Sequence, residues 1–388
     1  MLFALSICLS SCNGTLDDIF GEWDKPSSGT VTPSSDKKSA ATITNAPTAT
    51  ASIIAGETTA LVTAGTADGG TMMYQVTTTN TKPTSTDGFS DELPTAASLD
   101  PDSYFVWYYA KADATHTDSE IAAAAIEIAV DASLSMPLTL KAITAGTITV
   151  GNPPASMQFS LDGGSTKTAV SDVSGNISVA EGNEVTFYGS TESYGNDGTY
   201  FGGTAQVKMY GNIMSLVGTA FADNKTLTVD QTFKALFTFY NKLIDASGLL
   251  LPATTLRSLC YMSMFYNCNN LTKAPKELPA TNLTNAGYCY NGMFWGCSSL
   301  TTAPKLPATT LDENCYQNMF NGCTSLTTAY VKAAYIAGYP NNECDDMFEG
   351  CSGNAILHTT SANKASWEAI MGSGHTWATW TVSDDWND

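Results

Sequence analysis

The chain has 388 residues, of which 43% are hydrophobic, so it is long enough for roughly two to four domains with ordinary cores. It carries 37 acidic and 17 basic residues, a formal net charge of −20, and Arg257 is its one arginine. Because nucleic-acid binding requires clusters of Lys and Arg to neutralise phosphates, this composition excludes a nucleic-acid partner. Thr, Ser, Asn and Gly supply most of the polar residues, which is typical of β-rich extracellular modules.

The first twelve residues predict an export signal. A short apolar run, Leu2 to Leu9, ends in Leu9-Ser10-Ser11-Cys12. A membrane-spanning helix needs about 20 apolar residues, so the run is a processing segment rather than a span. The segment resembles a bacterial lipobox, with Ser11 in place of the usual Gly or Ala, and the resemblance implies that Cys12 is lipidated. The alternative interpretation is the start of a buried apolar strand.

Residues 13–41 predict a flexible tether. Asp17, Asp18 and Glu22 follow the cysteine closely, and Pro, Ser, Thr and Gly dominate the stretch from Lys25 to Ala41. The acidic leader resembles that of surface lipoproteins from Bacteroidota-type bacteria. The resemblance implies a lipid-anchored protein on the outer face of the outer membrane.

Residues 42–131 predict a β-sandwich without a disulfide. Apolar and Thr-rich runs alternate with turn signals at spacings of roughly ten residues. The runs are Ser52–Ala55, Ala60–Thr63, Thr71–Val76, Tyr104–Tyr109 and Ile126–Val130. The segments 60–74, 101–108 and 112–119 resemble a bacterial immunoglobulin-like repeat of surface proteins, which implies a spacer role.

Residues 137–205 predict a smaller β module, with strands at Met157 to Leu161 and Glu184 to Gly189 and turns at Asp162-Gly163-Gly164 and Asn196-Asp197-Gly198. This module is rich in aromatic residues. Together with Trp107 of the preceding module, the aromatic residues Phe187, Tyr188, Tyr194, Tyr200 and Phe201 have two interpretations. They form either a sugar-stacking platform or core packing, and core packing is favoured because aromatic residues dominate small β cores.

Residues 206–356 carry the strongest signal, a repeat of 26 to 29 residues. The unit is Leu-Pro-Ala-Thr-x-Leu, Cys-Tyr-x-x-Met-Phe and then Gly/Asn-Cys-x-x-Leu, with a degenerate copy around Leu236-Phe237. One repeat cannot bury its own apolar edge, whereas stacked repeats bury a continuous core. The predicted repeat core comprises Phe265, Cys268, Leu271, Phe294, Cys297, Leu300, Phe320, Cys323 and Leu326.

The spacing Phe-x-x-Cys-x-x-Leu resembles the BspA-like leucine-rich repeat family. The resemblance implies a short leucine-rich-repeat-type solenoid and attachment to host matrix proteins or other bacteria. Pro275 and Pro304 depart from the family pattern, and we expect irregular strand pairing there, because proline lacks a ladder donor. The predicted fold class is therefore mainly β, with an immunoglobulin-like sandwich, a small β module and a solenoid.

Residues 357–388 break the period and predict a cap. Ser361 to Met371 predict a short helix with Ser361 or Asn363 as N-cap, and Trp367, Trp377, Trp380 and Trp386 are predicted to cover the end of the stack. Eight of the ten cysteines lie in the repeats. Three interpretations remain open for them: buried unpaired thiols in columns, disulfides within repeats, and a metal site. The absence of short Cys-x-x-Cys spacings or His partners argues against metal.

The sequence contains no catalytic motif, so we expect a non-enzymatic protein without cofactor or metal. The leading hypothesis is a cell-surface adhesion or binding protein whose ligand, a protein or a glycan, is unknown. The candidate binding face comprises Thr272, Lys273, Thr301, Thr302, Lys305, Thr327 and Thr328. The alternative for this face is an ordinary solvated sheet surface. The two alternative functions are a glycan-binding accessory lipoprotein of a polysaccharide-uptake system and a cryptic hydrolase.

Overall fold

The computed structural model describes residues 38–335, 343–351, 353–370, 377 and 379–386. Strands account for 31% of the residues and helices for 4%, so the protein is mainly β. Cys12 and residues 13–37 of the predicted tether lie outside the described residues. The last four residues of that predicted tether are described. Ala41 is buried there, and its backbone N–H donates to the Thr117 carbonyl at 2.8 Å, so these residues pack on the first module.

The first module contains six strands around a core of its own. They are β1 (Thr42–Asn45), β2 (Ile53–Ile54), β3 (Thr66–Asp68), β4 (Gly70–Thr77), β5 (Asp102–Ala112) and β6 (Ile126–Asp131). One sheet has the order β2-β6-β5-β4, and β1 pairs with β3 in a second sheet. The aromatic strand β5 lies between β6 and β4 in this sheet. Its alternate residues, such as Tyr104 and Val106, point into the core.

The following segment contains nine strands. They are β7 (Thr139–Ala142), β8 (Gly146–Gly151), β9 (Gln158–Ser160), β10 (Thr168–Ala169), β11 (Asn176–Val179), β12 (Glu184–Tyr188), β13 (Tyr200–Gly203), β14 (Val207–Asn212) and β15 (Leu243–Leu250). Two 3-10 turns, Val170–Val173 and Ile213–Leu216, lie between them. The sheets have the orders β10-β9-β12-β7-β14-β15 and β11-β8-β13.

This segment and the repeats share one core. Strand β14 pairs antiparallel with β7 and parallel with β15, so the six-stranded sheet extends across the boundary predicted between residues 205 and 206. Buried residues from Leu138 to Val382 form a single apolar cluster. That predicted boundary therefore does not separate two cores, because β15 already belongs to the first repeats.

The C-terminal repeats end in a parallel sheet. Its strands are β16 (Thr302–Leu306), β17 (Thr328–Val331), β18 (Ile356–His358) and β19 (Thr381–Ser383), in that order, and the helix α1 (Lys364–Glu368) precedes β19. The register shifts between Thr302 and Lys305, where Pro304 lacks an N–H to donate. Hydrogen bonding is thus irregular at this proline, and Lys273 pairs with Asp245 only through an isolated bridge.

Backbone hydrogen bonds join successive repeats at alternate residues. The Phe265 N–H donates to the Met293 carbonyl at 2.8 Å, and the Phe294 N–H donates to the Met319 carbonyl at 2.9 Å. The N–H groups between them close turns three residues back, as from Met293 to Tyr290. These amides thus have a partner either in their own turn or in the next repeat, which satisfies the backbone there without long strands.

This arrangement explains the Gly/Asn that precedes the second cysteine of each repeat. The backbone there is left-handed, with φ of 56° at Asn267, 77° at Gly296, 74° at Gly322 and 71° at Gly350. Glycine and asparagine tolerate this conformation better than other residues do. The same position of the first, degenerate repeat is held by Phe239, at a φ of 58°.

Two aromatic columns run through the repeats. In the first, ring centroids are 5.3 Å apart for Phe265 and Phe294, and 5.6 Å apart for Phe294 and Phe320, with interplanar angles of 7° and 4°. The column extends to Phe237 and Phe348. The second column contains Tyr194, Phe233, Tyr261, Tyr290 and Tyr316. Identical positions of successive repeats therefore lie one above another.

The C-terminal segment covers the last ring of the first column. Trp367, Trp377 and Trp380 are buried and contact Phe348. Trp386 does not join them but lies on the outer surface, half-buried, with Lys305 and Lys332 near its ring. Helix α1 is shorter than predicted, and the Asn363 side chain does not cap it but donates to the Lys332 carbonyl at 2.7 Å.

Ion pairs connect the first module to the rest of the chain. Lys141 pairs with Asp100, Lys208 with Asp102, and Lys276 with Asp131. Glu184 is also within reach of Lys141, at 3.2 Å. Charged contacts rather than an apolar core therefore join the two parts.

Candidate binding surface

The candidate binding surface is the outer face of the C-terminal sheet. Its side chains point away from the core, and cross-strand pairing aligns these outward residues in two rows. The residues next to them on each strand, such as Ala329 and Leu357, point inward and fill the core. Residues i and i+2 of a strand share one face, so the rows are continuous. We call this surface the outer sheet face: Thr302, Thr328, Ile356 and Thr381 in one row, and Lys305, Tyr330, His358 and Ser383 in the other.

An ordered polar and aromatic cluster lies at the centre of the outer sheet face. The rings of Tyr330 and His358 stack with centroids 4.5 Å apart, at an interplanar angle of 13°. His358 Nδ1 lies 2.6 Å from Asp385 Oδ1. The hydrogen bonds from His358 and from Ser383 lower the pKa of the Asp385 carboxyl. The carboxylate therefore fixes the imidazole, and the imidazole supports the tyrosine ring.

Trp386 adds a second aromatic group at the edge of this face. The ammonium groups of Lys305 and Lys332 lie 5.9 and 5.6 Å from its ring centroid. Both distances are within the range of a cation–π interaction. This edge therefore places two positive charges and an aromatic ring together in a chain whose net charge is −20.

A threonine ladder continues the surface towards the preceding repeats. The hydroxyl of Thr272 donates to the Ile244 carbonyl at 2.8 Å, that of Thr301 to the Thr272 carbonyl at 3.5 Å, and that of Thr327 to the Thr301 carbonyl at 3.1 Å. Each hydroxyl thus uses its single donor to join two repeats. Lys273 lies beside this ladder, with its ammonium 3.5 Å from Asp245.

The residues predicted for the binding face therefore divide into two sets with different roles. Thr302, Lys305 and Thr328 lie on the outer sheet face. Thr272, Thr301 and Thr327 are exposed but bond to the backbone, so they contribute acceptor oxygens rather than free donors. The nine residues predicted for the repeat core are all fully buried: Phe265, Cys268, Leu271, Phe294, Cys297, Leu300, Phe320, Cys323 and Leu326.

Comparison with protein families, with curated proteins and with solved structures finds no match for this chain. Within the described part of the chain, no helix has the length and apolar character that a membrane span requires. Function is therefore argued from the residues themselves.

The eight cysteines of the repeats are buried. Four of them donate to a phenylalanine carbonyl of the preceding repeat, as Cys297 does to Phe265 at 3.1 Å and Cys323 to Phe294 at 3.2 Å. Cys268 and Cys351 repeat the pattern. A cysteine at this position packs as a small apolar side chain, and its S–H also gives the phenylalanine carbonyl a second hydrogen-bond donor. Burial raises the pKa of the Cys268 thiol to about 12 and that of Cys323 well above its ordinary value.

We expect these thiols to be unreactive in the native protein, because only the thiolate attacks a disulfide reagent. When the native protein is treated with DTNB at pH 8, the eight repeat cysteines should remain unmodified. Unfolding in guanidinium chloride should release eight additional reactive thiols. Rapid native labelling of Cys297 or Cys323, located by peptide mapping, would contradict their burial.

Most of the aromatic residues with two interpretations are buried, as the favoured core-packing interpretation predicts. Of the proposed sugar-stacking platform, Trp107, Phe187, Tyr194 and Phe201 are buried, while Tyr188 is half-buried and Tyr200 is 46% exposed. The repeats instead expose Phe239 by 61% and Trp295 by 38%, and the half-buried Tyr266 lies between them. The ring centroids are 5.3 Å apart for Phe239 and Tyr266 and 5.6 Å apart for Tyr266 and Trp295. We call these three residues the aromatic strip.

Sequence reasoning missed this strip and the cluster around His358. Tyr266 and Trp295 both follow the central phenylalanine of their repeats, so an alignment of the repeats would have shown two aromatic residues at one position. His358 and Asp385 lie in a segment without periodicity, and nothing in their spacing indicates that they meet.

Proposed function

We propose that this protein is a non-enzymatic, lipid-anchored binding protein of the cell surface, and that the outer sheet face binds a protein ligand. The anchor is Cys12, within a segment that resembles a lipobox. The repeats provide the binding end, and the first module acts as a spacer between the anchor and the repeats.

The finer fold is part of this proposal. We infer a short solenoid of the BspA-like leucine-rich type, supported by the parallel stacking of Phe265, Phe294 and Phe320 and by the alternating inter-repeat hydrogen bonds. We also infer that the first module is immunoglobulin-like, supported by its two sheets and by the antiparallel pairing of the central strand β5 with β4 and β6.

The observation that carries the proposal is the composition of the outer sheet face. Tyr330, His358 and Trp386 provide aromatic surface, and Lys305 and Lys332 provide charge beside it. Tyrosine and tryptophan are among the residues that dominate the energetics of protein interfaces. The eight repeat cysteines are buried, and burial raises the pKa of thiols such as Cys297 and Cys323, so these thiols are not available as nucleophiles.

We expect Tyr330→Ala and Thr328→Arg each to weaken ligand binding at least tenfold. The first removes the central ring, and the second places a large charged side chain in the middle of the face. The full chain should be tested by biolayer interferometry against immobilised matrix proteins (fibronectin, laminin and collagen) and against whole bacterial cells.

Trp295→Ala serves as the matched control, since Trp295 lies in the aromatic strip and not on the outer sheet face. Its binding to the same protein ligands should equal that of the unmodified chain. If the unmodified chain binds none of these surfaces, or if Tyr330→Ala and Thr328→Arg bind as tightly as it does, the proposed function is wrong.

A second candidate function, a glycan-binding accessory lipoprotein of a polysaccharide-uptake system, is favoured by a different observation. The buried positions of Trp107, Phe187 and Phe201 argue against a sugar platform in the first modules. The aromatic strip of the repeats supplies an exposed alternative.

A further inference from the structure

The aromatic strip occupies positions where the fold itself gives no reason for aromatic residues. Phe239 has a φ of 58° and is 61% exposed. A bulky residue in the left-handed region is an outlier that costs about 1–2 kcal/mol. Later repeats avoid this strain with Asn267, Gly296, Gly322 and Gly350. A strained and exposed aromatic ring is the kind of feature that marks a functional site.

A shelf of glycine backbone adjoins the strip. A methyl group added at Gly322 would lie 3.6 Å from the Gly296 Cα, and one added at Gly350 would lie 3.4 Å from the Gly322 Cα. At Gly296 the added methyl group would overlap the amide oxygen of Asn267, which covers this residue. The surface that continues from Trp295 is therefore formed by the Asn267 amide over Gly296 and by glycine backbone at Gly322 and Gly350, where a ligand can approach closely.

The surroundings of Tyr266 and Trp295 are polar but carry no charge. The segments 262–270, 291–299 and 317–325, which flank the central phenylalanines of three successive repeats, contain no Asp, Glu, Lys or Arg. Their exposed and half-buried polar side chains are amides and hydroxyls, among them Asn269, Asn270, Ser298, Asn321 and Thr324. Charged residues occur only towards the two ends of the site, where Lys242 follows Phe239 and Glu349 precedes Gly350. Three uncharged segments of nine residues each are a distinctive feature of a chain whose net charge is −20.

From these observations we propose that the aromatic strip and the glycine shelf form a binding site for an uncharged polysaccharide. Sugar rings present apolar C–H faces to aromatic side chains and hydroxyls to amides and alcohols. Tyr266, Trp295 and the segments that flank them supply both kinds of group and no ionic one. Since Phe239, Tyr266 and Trp295 come from successive repeats, the site is elongated along the stack and suits a chain rather than a single sugar. A charged glycan or an ionic protein surface would find no counter-charge in these segments.

This site lies apart from the outer sheet face, so the two proposals are tested independently. Affinity electrophoresis of the full chain should use four soluble neutral polysaccharides, namely a mixed-linkage β-glucan, xyloglucan, galactomannan and amylose, with polygalacturonate as the charged comparison. We expect retardation by at least one neutral polysaccharide and none by polygalacturonate.

Tyr266→Ala and Trp295→Ala should each weaken that retardation at least tenfold, because aromatic residues at the centre of a site carry most of its binding energy. Trp295→Phe should restore most of it. Tyr330→Ala, on the outer sheet face, should bind the polysaccharide normally, and this result distinguishes failure of this site from failure of the proposed protein-binding function.

Phe239→Asn provides a variant that keeps the fold. The asparagine suits the left-handed backbone and offsets the lost contact with Tyr266, so we expect Tm to fall by no more than about 2 °C. Polysaccharide binding should nevertheless weaken severalfold. The proposal is overturned if no neutral polysaccharide retards the unmodified chain, if polygalacturonate alone does so, or if the three aromatic variants bind as the unmodified chain does.

Discussion

Replacing Phe294 by alanine is expected to lower the free energy of unfolding of the repeat core by about 3–5 kcal/mol. Phe294 is fully buried between the parallel rings of Phe265 and Phe320. Its loss removes apolar burial and two ring contacts and leaves a cavity, because the flanking repeats are joined by backbone hydrogen bonds and cannot close over it. Urea unfolding followed by far-UV circular dichroism measures the effect.

Trp295→Ala is the matched control, since it removes a larger ring from the next residue. Trp295 is 38% exposed, so its replacement should cost less than about 1 kcal/mol. Equal destabilisation by the two substitutions would contradict the burial of one ring and the exposure of the other.

The second large effect is the loss of stability in alkali. Burial raises the pKa of the Cys260, Cys268 and Cys315 thiols from 9.0 to about 12, and raises that of Cys289 and Cys297 well above 9.0. The unfolded chain loses these protons above pH 9 while the folded chain keeps them. The stabilisation is therefore complete below pH 9 and is lost as the pH rises towards 12.

The expected size follows from the number of thiols. At pH 10 each buried thiol lowers the free energy of unfolding by about 1.4 kcal/mol, because pH 10 lies about one unit above the pKa of a thiol in the unfolded chain. Burial also raises the pKa of the Cys323 and Cys351 thiols, so seven thiols act in the same direction and together remove a large share of the stability of a typical domain. We expect unfolding near pH 10 with TCEP present.

Urea unfolding between pH 8 and pH 10 measures this dependence. Cys297→Ala is the control, because its loss of packing is the same at every pH while one thiol is removed from the pH dependence. Its loss of stability between pH 9 and pH 10 should be about 1 kcal/mol smaller than that of the unmodified chain. A free energy of unfolding that stays constant up to pH 10 would contradict buried neutral thiols.

The spacing of residues was sufficient to predict the columns of the repeats. Phe265, Phe294 and Phe320 recur with identical neighbours, and only stacking buries them all. The same spacing did not reveal the left-handed turns, because Phe239 and Asn267 differ in type although they share one backbone conformation. A residue type that recurs in each repeat indicates a shared core position. A backbone angle that recurs under different residue types can be recognised only in the structure.

The domain boundaries were less predictable. Ala41 belongs to a stretch whose composition is that of a linker, yet it is buried in the first module. Strand β14 begins just after the boundary predicted between residues 205 and 206, yet it pairs on both sides within one sheet. Composition describes the local tendency of the chain, while strand pairing depends on partners far away in the sequence.

The candidate binding surface was predicted in part. Thr302, Lys305 and Thr328 follow directly from the repeat, because exposed residues alternate with buried ones. His358 and Asp385 are brought together by the parallel pairing of β18 with β19. That pairing follows no sequence period, so the centre of the face was invisible without the structure.

A double-mutant cycle between Phe294 and Phe320 tests the stacking of the repeats most directly. Substitution of each ring by leucine, alone and together, should give a coupling energy of about 0.5–1.5 kcal/mol, as expected for contacting aromatic rings. The same cycle for Phe265 and Phe348, which are separated by two intervening rings, should be additive within about 0.5 kcal/mol. Additivity for Phe294 and Phe320 as well would contradict a continuous column.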